Sequence, residues 1–429
     1  EHLARPMPDG SVWNLVFSDE FNEDGRAFAE GGDPKWTATD KIRPPANAEY
    51  ETYVAEAAST ANGTLRLTME VPSCNGTAAQ ACKPEDPDFY MKSGQVSTWN
   101  KFCATGGYVE VKVSMPGYGI PADPKSVGFW PAVWMLGNLG RVNYQATMEG
   151  MWPYSYDTCG LKGDTGALPP QRFPNTQCLT NSTPHPLLGP HGRGVPEFDL
   201  AEVMTTNYTP SVSQTFQTAP FNLGCEPVDP AGISASAVGP WLEPPTKQAW
   251  TGCQYQQSIG YSTGTAPKHG FGGSDFVTLG LEWKTGADGY IEWSIDGSKA
   301  WRLGAAAVGG VAGQVGPRLI PEEPMYVILN LAMSYSWAGA LPPPFYPDPE
   351  YMEFPAVMHV DYVRIYQDPS STNFGCDPPE YPTAAYIASN LNKIYTDPSA
   401  KPPPMPPGHV AASAPSATQE EQQYSVAYV

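Results

Sequence analysis

The chain has 429 residues, of which 48 are proline and 42 glycine, and only 16% are charged. This composition argues against a helical protein and favours short strands with many ordered loops and an aromatic binding cleft. A formal net charge of −20 argues against nucleic acid or an anionic membrane surface as partner and is compatible with a neutral polymer.

Short strands follow one another along the chain. Apolar and polar residues alternate with a period of two, no βαβ rhythm is present, and Asp-Gly pairs at 288–289 and 296–297 predict hairpin turns. We therefore predict an all-β fold of two packed antiparallel sheets. The predicted strands cover residues 11–17, 64–69, 108–115, 128–136, 276–283, 289–295, 299–303, 326–333 and 360–366.

The spacing of these strands predicts one large domain, residues 1–368. Two loop-rich insertions interrupt it, at about 137–195 and 223–273. We expect residues 369–396 to form a C-terminal extension packed on the domain. Residues 397–429 are rich in proline and alanine, which predicts a disordered tail.

The cysteine content indicates an oxidising compartment. Eight cysteines without a Cys-x-x-Cys pair favour disulfides over a zinc site. The six histidines are scattered, so we predict neither a metal site nor a cofactor. The spacing leaves the disulfide pairing open, and local pairs compatible with it are Cys74 with Cys82, Cys159 with Cys178 and Cys225 with Cys253.

The start of the chain also fits a secretory setting. It begins without methionine, and the chain has no membrane-length apolar run. We therefore expect that an N-terminal segment has been removed, and that the protein belongs to the secretory lumen, the cell surface or the medium. Four sequons offer sites for N-glycans: Asn62, Asn75, Asn181 and Asn207.

One segment, residues 196–203, carries three carboxylates within six residues. On an ideal strand Glu197 and Asp199 point to one face and Glu202 to the other. One extra residue between Asp199 and Glu202, a β-bulge, would return Glu202 to the shared face. A solvated acidic face is the simpler alternative, but the apolar neighbours on both sides of the segment argue against it.

Two carboxylates that face one glycosidic bond are the equipment for cleaving it. In a retaining mechanism Glu197 would be the nucleophile and Glu202 the acid and base. Asp199 would hydrogen-bond to one or both and hold a shared proton. Crowding of three acids raises at least one pKa, which keeps Glu202 protonated near its working pH.

Aromatic and polar residues elsewhere are candidates for binding a sugar chain, because the C–H face of a sugar stacks on an aromatic ring. A tryptophan on a strand also packs cores, and for Trp134 both interpretations stay open. The candidate platforms are Trp130, Trp134, Trp152 and Trp337, and the candidate hydroxyl contacts are Asn138, Arg141, Gln217 and Asn222.

Several motifs resemble glycoside hydrolase family sixteen, the laminarinase and lichenase jelly rolls. They are Glu-Phe-Asp-Leu-Ala-Glu at 197–202, Trp-Pro-Ala-Val-Trp-Met-Leu-Gly-Asn at 130–138 and Phe-Ser-Asp-Glu-Phe-Asn at 17–22. The segments at 93–103 and 149–157 are similar to the fungal branch of that family, the β-glucan-synthesis-associated, killer-toxin-resistance proteins.

This resemblance implies a β-jelly roll, retaining chemistry on cell-wall β-glucan and a role in β-1,6-glucan formation. It also implies a single-pass anchor ahead of a luminal catalytic domain, of which this chain would be the ectodomain. Its carboxylates carry over onto Glu197, Asp199 and Glu202. Two alternatives stay open: a plain endo-β-1,3-glucanase, and a non-catalytic glucan-binding assembly factor.

Overall fold

The structure is a computed structural model. It describes residues 2–44, 47–71, 91–116, 128–149, 151–155, 177–178, 192–206, 209–236, 239, 242–252, 256–265, 275–286, 288–312, 314–334, 337–338 and 354–401.

Strands dominate these residues, and helices are few and short. The helices are α1 (Gln145–Met148) and α2 (Ala384–Asn390), with a π-turn at Leu391–Tyr395 and 3₁₀ turns at Ala55–Ala57, Pro230–Gly232 and Ala305–Val308. The strands are β1 (Ala4–Pro6), β2 (Val12–Asp19), β3 (Thr37–Ala38), β4 (Glu51–Tyr53), β5 (Ala58–Ala61), β6 (Thr64–Met69), β7 (Met91–Ser93), β8 (Gln95–Ser97), β9 (Gly107–Ser114), β10 (Phe129–Gly137), β11 (Gln177–Cys178), β12 (Gly192–Arg193), β13 (Glu197–Thr206), β14 (Thr209–Thr218), β15 (Ile233–Ala235), β16 (Thr246–Lys247), β17 (Gln257–Gly264), β18 (Val277–Lys284), β19 (Tyr290–Ile295), β20 (Ser298–Gly304), β21 (Met325–Met333) and β22 (Ala356–Gln367).

Two large sheets contain most of these strands. The ten-stranded sheet has the order β1-β2-β22-β9-β18-β19-β20-β15, with β6 also pairing β22 and β5 pairing β6. The eight-stranded sheet has the order β16-β17-β14-β13-β10-β21-β8-β3. The paired strands within both sheets are antiparallel. The predicted all-β fold of two antiparallel sheets is confirmed, and it is a β-jelly-roll sandwich.

The period-two pattern of each strand separates a core face from an opposite face. In β13 and β14 the side chains of Phe198, Val203, Val212 and Phe216 lie in the core between the sheets. The opposite face of the eight-stranded sheet carries the carboxylates of β13, and we call it the acid face. Burial of apolar side chains on one side of the sheet therefore fixes which residues can form a site on the other.

The predicted hairpin at 296–297 is present between β19 and β20. Asp296 and Gly297 have φ values of +46° and +74°. A two-residue turn with both central residues at positive φ matches the twist of the flanking strands, and aspartate and glycine tolerate that conformation best. The Asp-Gly pair therefore forms the hairpin turn that its backbone preferences predict.

The C-terminal extension is fastened to the sandwich by covalent and aromatic contacts. Cys103 and Cys376 form a disulfide across 273 residues, a pairing that local spacing did not suggest. The ring of Tyr395 stacks on Trp99, with ring centroids 5.7 Å apart. Cys225 is also disulfide-bonded. The remaining local pairs and residues 402–429 lie outside the described residues, and the division at 369 and 397 stays a prediction.

Candidate active site

The register between β13 and β14 changes within the acid row. Asp199 pairs with Thr215, and Glu202 pairs with Ser213, so three steps along β13 match two along β14. The extra residue is the β-bulge that the sequence predicted between Asp199 and Glu202. It returns Glu202 to the acid face, where its charge and that of Glu197 act on each other.

Two side chains hold the backbone of the bulge in place. A bulge frees carbonyl groups from the strand ladder, and a buried carbonyl without a partner is costly. The indole of Trp293, from the ten-stranded sheet, donates to the carbonyl oxygen of Asp199 at 2.8 Å. Gln214 Nε2 donates to the carbonyl oxygen of Leu200 at 3.0 Å. The bulge is therefore braced from the core side.

We expect Trp293→Phe to loosen the bulge. The substitution leaves the Asp199 carbonyl without its donor, so it should lower the free energy of unfolding by about 1–3 kcal/mol beyond the cost of the lost ring volume. Trp301 supplies a matched control, because its ring stacks on that of Trp293 with centroids 3.9 Å apart and its buried indole nitrogen finds no partner among the described residues. Denaturant unfolding of Trp293→Phe and Trp301→Phe gives the difference, and equal losses would contradict the bracing role.

Each glutamate of the row is held by a tryptophan. Trp152 Nε1 donates to Glu197 Oε2 at 2.8 Å, and Trp130 Nε1 donates to Glu202 Oε1 at 3.1 Å. Trp337 stacks on Trp130 with centroids 4.4 Å apart. Both carboxylates are half-buried. Donation from indole nitrogens fixes the rotamers of the two glutamates and leaves their other oxygens for further partners.

Asp199 occupies the middle of the row and is 2% exposed. The hydroxyl of Thr215 donates to Asp199 Oδ2. Gln217 Nε2 in turn donates to that hydroxyl oxygen at 3.3 Å. The carboxyl of Asp199 also shares a hydrogen bond with Glu197. Asp199 is thus the member of the row most enclosed by protein, in contact with the first glutamate rather than open to solvent.

Burial raises the pKa of all three carboxyls. For Glu197, burial and then the charges of Asp199 and Glu202 raise the pKa well above its ordinary value. Burial raises the pKa of Asp199 to about 7. For Glu202, burial and then the charge of Asp199 hold the pKa well above its ordinary range. The raised pKa values favour the protonated forms of these carboxyls, and a protonated carboxyl is the group that a general acid requires.

Several of the predicted binding residues lie beside this row. Trp130, Trp152 and Trp337 make the contacts described above. Gln217 lies next to Thr215 and contributes to the environment of Asp199. Trp134 pairs in register with Asp199, is half-buried, and donates from Nε1 to Asn330 Oδ1 at 2.7 Å. The structure brings these five to the acid face, and their contact with a sugar stays a prediction.

The other three predicted binding residues serve the protein itself. Asn138 is fully buried and donates to Thr383 of the C-terminal extension at 3.0 Å. Asn222 is 5% exposed and donates to the Glu226 carbonyl at 2.7 Å. These internal partners use the amide groups of Asn138 and Asn222. Neither amide contacts a carboxylate of the acid row among the described hydrogen bonds.

Arg141 also points away from the row. Its Nη1 donates to the Tyr395 carbonyl at 2.5 Å, and its guanidinium lies over the rings of Trp99 and Tyr144. Arg141, Trp99 and Tyr144 border a cavity of about 220 Å³ near β3 and β8. The guanidinium therefore anchors the C-terminal extension.

Sequence reasoning missed several residues that line the acid face. Thr215 and Ser213 contact Asp199 and Glu202, and Asn330 orients Trp134 while donating to Tyr53 at 3.1 Å. A partial signal was present for β14, since its polar residues at 211, 213, 215 and 217 are separated by Val212 and Phe216, although Gln214 between them is also polar. The described residues contain no group of three or more His, Cys, Asp or Glu side chains placed to hold a metal ion.

Sandwich architecture and a Glu-x-Asp-x-x-Glu strand define the class: a β-jelly roll of the glycoside hydrolase family sixteen type. Within it, the chain belongs to the family of beta-glucan synthesis-associated proteins SKN1/KRE6/Sbg1, whose model matches residues 1–401.

Curated relatives agree with this membership. The chain is 36% identical to the beta-glucan synthesis-associated protein KRE6 of Saccharomyces cerevisiae, over 91% of this chain and 51% of that protein. It is 34% identical to SKN1 of Candida albicans, over 90% of this chain and 49% of that protein. The chain thus spans about half the length of the curated relatives it matches.

Solved structures include more distant neighbours. The catalytic domain of an endo-1,3-beta-glucanase (laminarinase) from Thermotoga petrophila is 20% identical, with a TM-score of 0.47, over 84% of this chain and 99% of that one. The endo-beta-1,3-glucanase from Pyrococcus furiosus is 18% identical, with a TM-score of 0.48, over 86% and 98%. Across the residues that the structure describes, no helix is long and apolar enough to cross a membrane.

Proposed function

We propose that this protein is a retaining glycosidase or transglycosylase that acts on cell-wall β-glucan and contributes to β-1,6-glucan formation. The observation that carries the proposal is the bulge between Asp199 and Glu202, because it gathers three carboxylates with raised pKa values on one face of the sheet. A binding module has no need of such a row, since crowded carboxyls cost folding free energy.

In the first step Glu202 donates its proton to the glycosidic oxygen while a carboxylate oxygen of Glu197 attacks the anomeric carbon. The C–O bond to the leaving sugar breaks, and a glucosyl ester of Glu197 forms. In the second step Glu202 takes a proton from water or from a sugar hydroxyl, which attacks the anomeric carbon and releases Glu197. The configuration at the anomeric carbon is retained because it is inverted twice.

The row supports the change in role of Glu202 between the steps. Once Glu197 is esterified its charge is gone, so Glu202 ionises more easily and can act as a base. Asp199, hydrogen-bonded to Glu197, shares the row's protons before the attack. Thr215 and Trp152 fix the geometry of this exchange by donating to Asp199 and Glu197 respectively.

We favour a sugar hydroxyl over water as the acceptor that attacks the glucosyl ester. Relatives of this chain are named for glucan synthesis, and synthesis requires transfer rather than hydrolysis. The stacked pair Trp130 and Trp337 stands beside the acid Glu202 and offers apolar surface to a sugar face. A wall glucan places the protein in the secretory lumen or at the cell surface, and the sequons and disulfides fit that setting.

Product analysis tests the proposal. We expect mass spectrometry of reactions with defined β-1,3- and β-1,6-gluco-oligosaccharides to show products longer than the substrate. Release of only short oligosaccharides from laminarin, with the β-1,6-glucan pustulan untouched, would instead identify a plain endo-β-1,3-glucanase. Glucan binding without any new product would identify an assembly factor.

A further inference from the structure

Two buried polar side chains near the acid row have hydrogen-bonding capacity that no other described residue uses. Gln256 is 3% exposed and Ser258 is 4% exposed. Within the part of the chain that the structure describes, neither Gln256 Oε1 nor Ser258 Oγ has a hydrogen-bond partner. Buried polar atoms in native proteins are nearly always paired, and an unpaired one destabilises the folded state. A bound ligand with hydroxyl groups would supply the partners that the described residues do not.

Ser258 lies on the acid face, in the register row of the proposed nucleophile. Glu197 pairs with Gln217 on β14, and Gln217 pairs with Ser258 on β17. Cross-strand partners share a face, so Ser258 stands two strand spacings, roughly 10 Å, from Glu197. Gln256 reaches the same place, because its Nε2 donates to Gln217 Oε1 at 3.3 Å.

The hydrogen bonds between these groups and Asp199 all run in one direction. Gln256 donates to Gln217, Gln217 donates to Thr215, and Thr215 donates to Asp199. Each donor strengthens the next bond in such a chain. The outer end of this series of hydrogen bonds is Gln256 Oε1, an acceptor that no described group donates to. A ligand hydroxyl that donates to Gln256 Oε1 would extend the series of hydrogen bonds from the ligand to Asp199.

We propose that Gln256 and Ser258 form a hydroxyl-binding subsite for a glucosyl unit next to the reacting sugar. One sugar hydroxyl donates to Gln256 Oε1, and a neighbouring hydroxyl pairs with Ser258 Oγ, which can donate and accept. The inference rests on the proposed glucan activity and adds to it a recognition element within the insertion at 223–273. Gln256 is in addition a positioning residue, which reaches Asp199 through Gln217 and Thr215.

Thr263 provides a matched control on the same strand. Its side chain is fully buried, and its hydroxyl likewise has no hydrogen-bond partner in the described ranges. It pairs with Val212, a core residue, so it lies on the opposite face from Ser258. Deleting either hydroxyl removes an unpaired polar atom, but only the one in Ser258 faces a sugar.

The experiment measures binding in a Glu197→Gln background, which removes turnover. Linear β-1,3- and β-1,6-glucopentaose are titrated by calorimetry into that protein and into versions that also carry Ser258→Ala, Gln256→Met or Thr263→Val. We expect Ser258→Ala and Gln256→Met to weaken binding of at least one pentaose by about threefold to tenfold, the value of one neutral hydrogen bond. Thr263→Val should bind as its parent does.

Thermal unfolding separates recognition from a structural role. Loss of an unpaired hydroxyl should leave Tm unchanged or raise it in both Ser258→Ala and Thr263→Val. If the parent binds a pentaose and Ser258→Ala binds it equally well, or if Ser258→Ala lowers Tm, the subsite is refuted while the proposed activity stands. If the parent binds neither pentaose and the wild type makes no product, the proposed function itself fails, and the subsite with it.

Discussion

Glu197→Gln is expected to abolish turnover of β-glucan, with a loss on the order of 10⁴- to 10⁶-fold in kcat. The amide has nearly the same shape but cannot form the glucosyl ester. Its neighbours argue that the fold survives. Trp152 can still donate to the remaining carbonyl oxygen, and the repulsion that raises the pKa values of the row is reduced. We therefore expect an unchanged or higher Tm.

Added azide tests whether Glu197 acts as a nucleophile. Glu197→Ala removes the whole carboxyl group, so azide fits into the space that it leaves and attacks the anomeric carbon directly, and the product should be the glucosyl azide of inverted configuration. The control is Glu56→Gln, since Glu56 is exposed and its carboxylate pairs with Lys92 at the surface. Wild-type turnover by Glu197→Gln, at a rate matching Glu56→Gln, would show that Glu197 is not the nucleophile.

The site could be foreseen where a strict local rule applied. On a strand, side chains alternate, so three acids at 197, 199 and 202 cannot share a face without one inserted residue. The bulge followed from that parity alone, and the observed register contains it. The Asp296–Gly297 hairpin followed in the same way from backbone preference. Both features depend only on residues that are close together in the sequence, so the sequence is enough to predict them.

Features that depend on distant partners could not be foreseen. Asn138 and Asn222 are polar residues near the motifs, and sequence does not reveal that Thr383 and Glu226 engage them. The Cys103–Cys376 disulfide joins residues that no local spacing connects, although each flanks a segment that the fold brings together. Long-range contacts of this kind belong to the packing, and no periodicity along the chain encodes them.

Tryptophans illustrate the same division. Trp130 and Trp134 are four residues apart on β10, and both point to the acid face as alternation requires. Their partners differ: Trp130 meets Glu202, whereas Trp134 meets Asn330 on the neighbouring strand. Alternation of side chains therefore predicts that both rings lie on the acid face. Their different partners depend on the register of β10 with β13 and β21, which brings Trp130 to Glu202 and Trp134 to Asn330.

Glu202→Gln should lower turnover of glucan about 10²- to 10⁴-fold, because the leaving sugar then departs without a proton. An aryl glucoside whose leaving group is already a good one needs no such help. Its glycosylation step should therefore be nearly unaffected, and azide should yield the glucosyl azide of retained configuration, opposite to the product of Glu197→Ala. Equal losses on both substrates would assign Glu202 to folding or binding rather than to proton transfer.

The pH dependence of glucan turnover supplies a second readout of the same role. The wild type should lose activity as pH rises through the raised pKa of the row, because the acid is then deprotonated. The Trp130 indole donates to Glu202 and favours its charged form, which lowers the pKa of that carboxyl. Trp130→Phe removes that donor, so the basic limb should move to higher pH. In Glu202→Gln the basic limb should disappear from the profile measured with the activated aryl glucoside. A basic limb that stays in place in both variants would show that the proton comes from a different group.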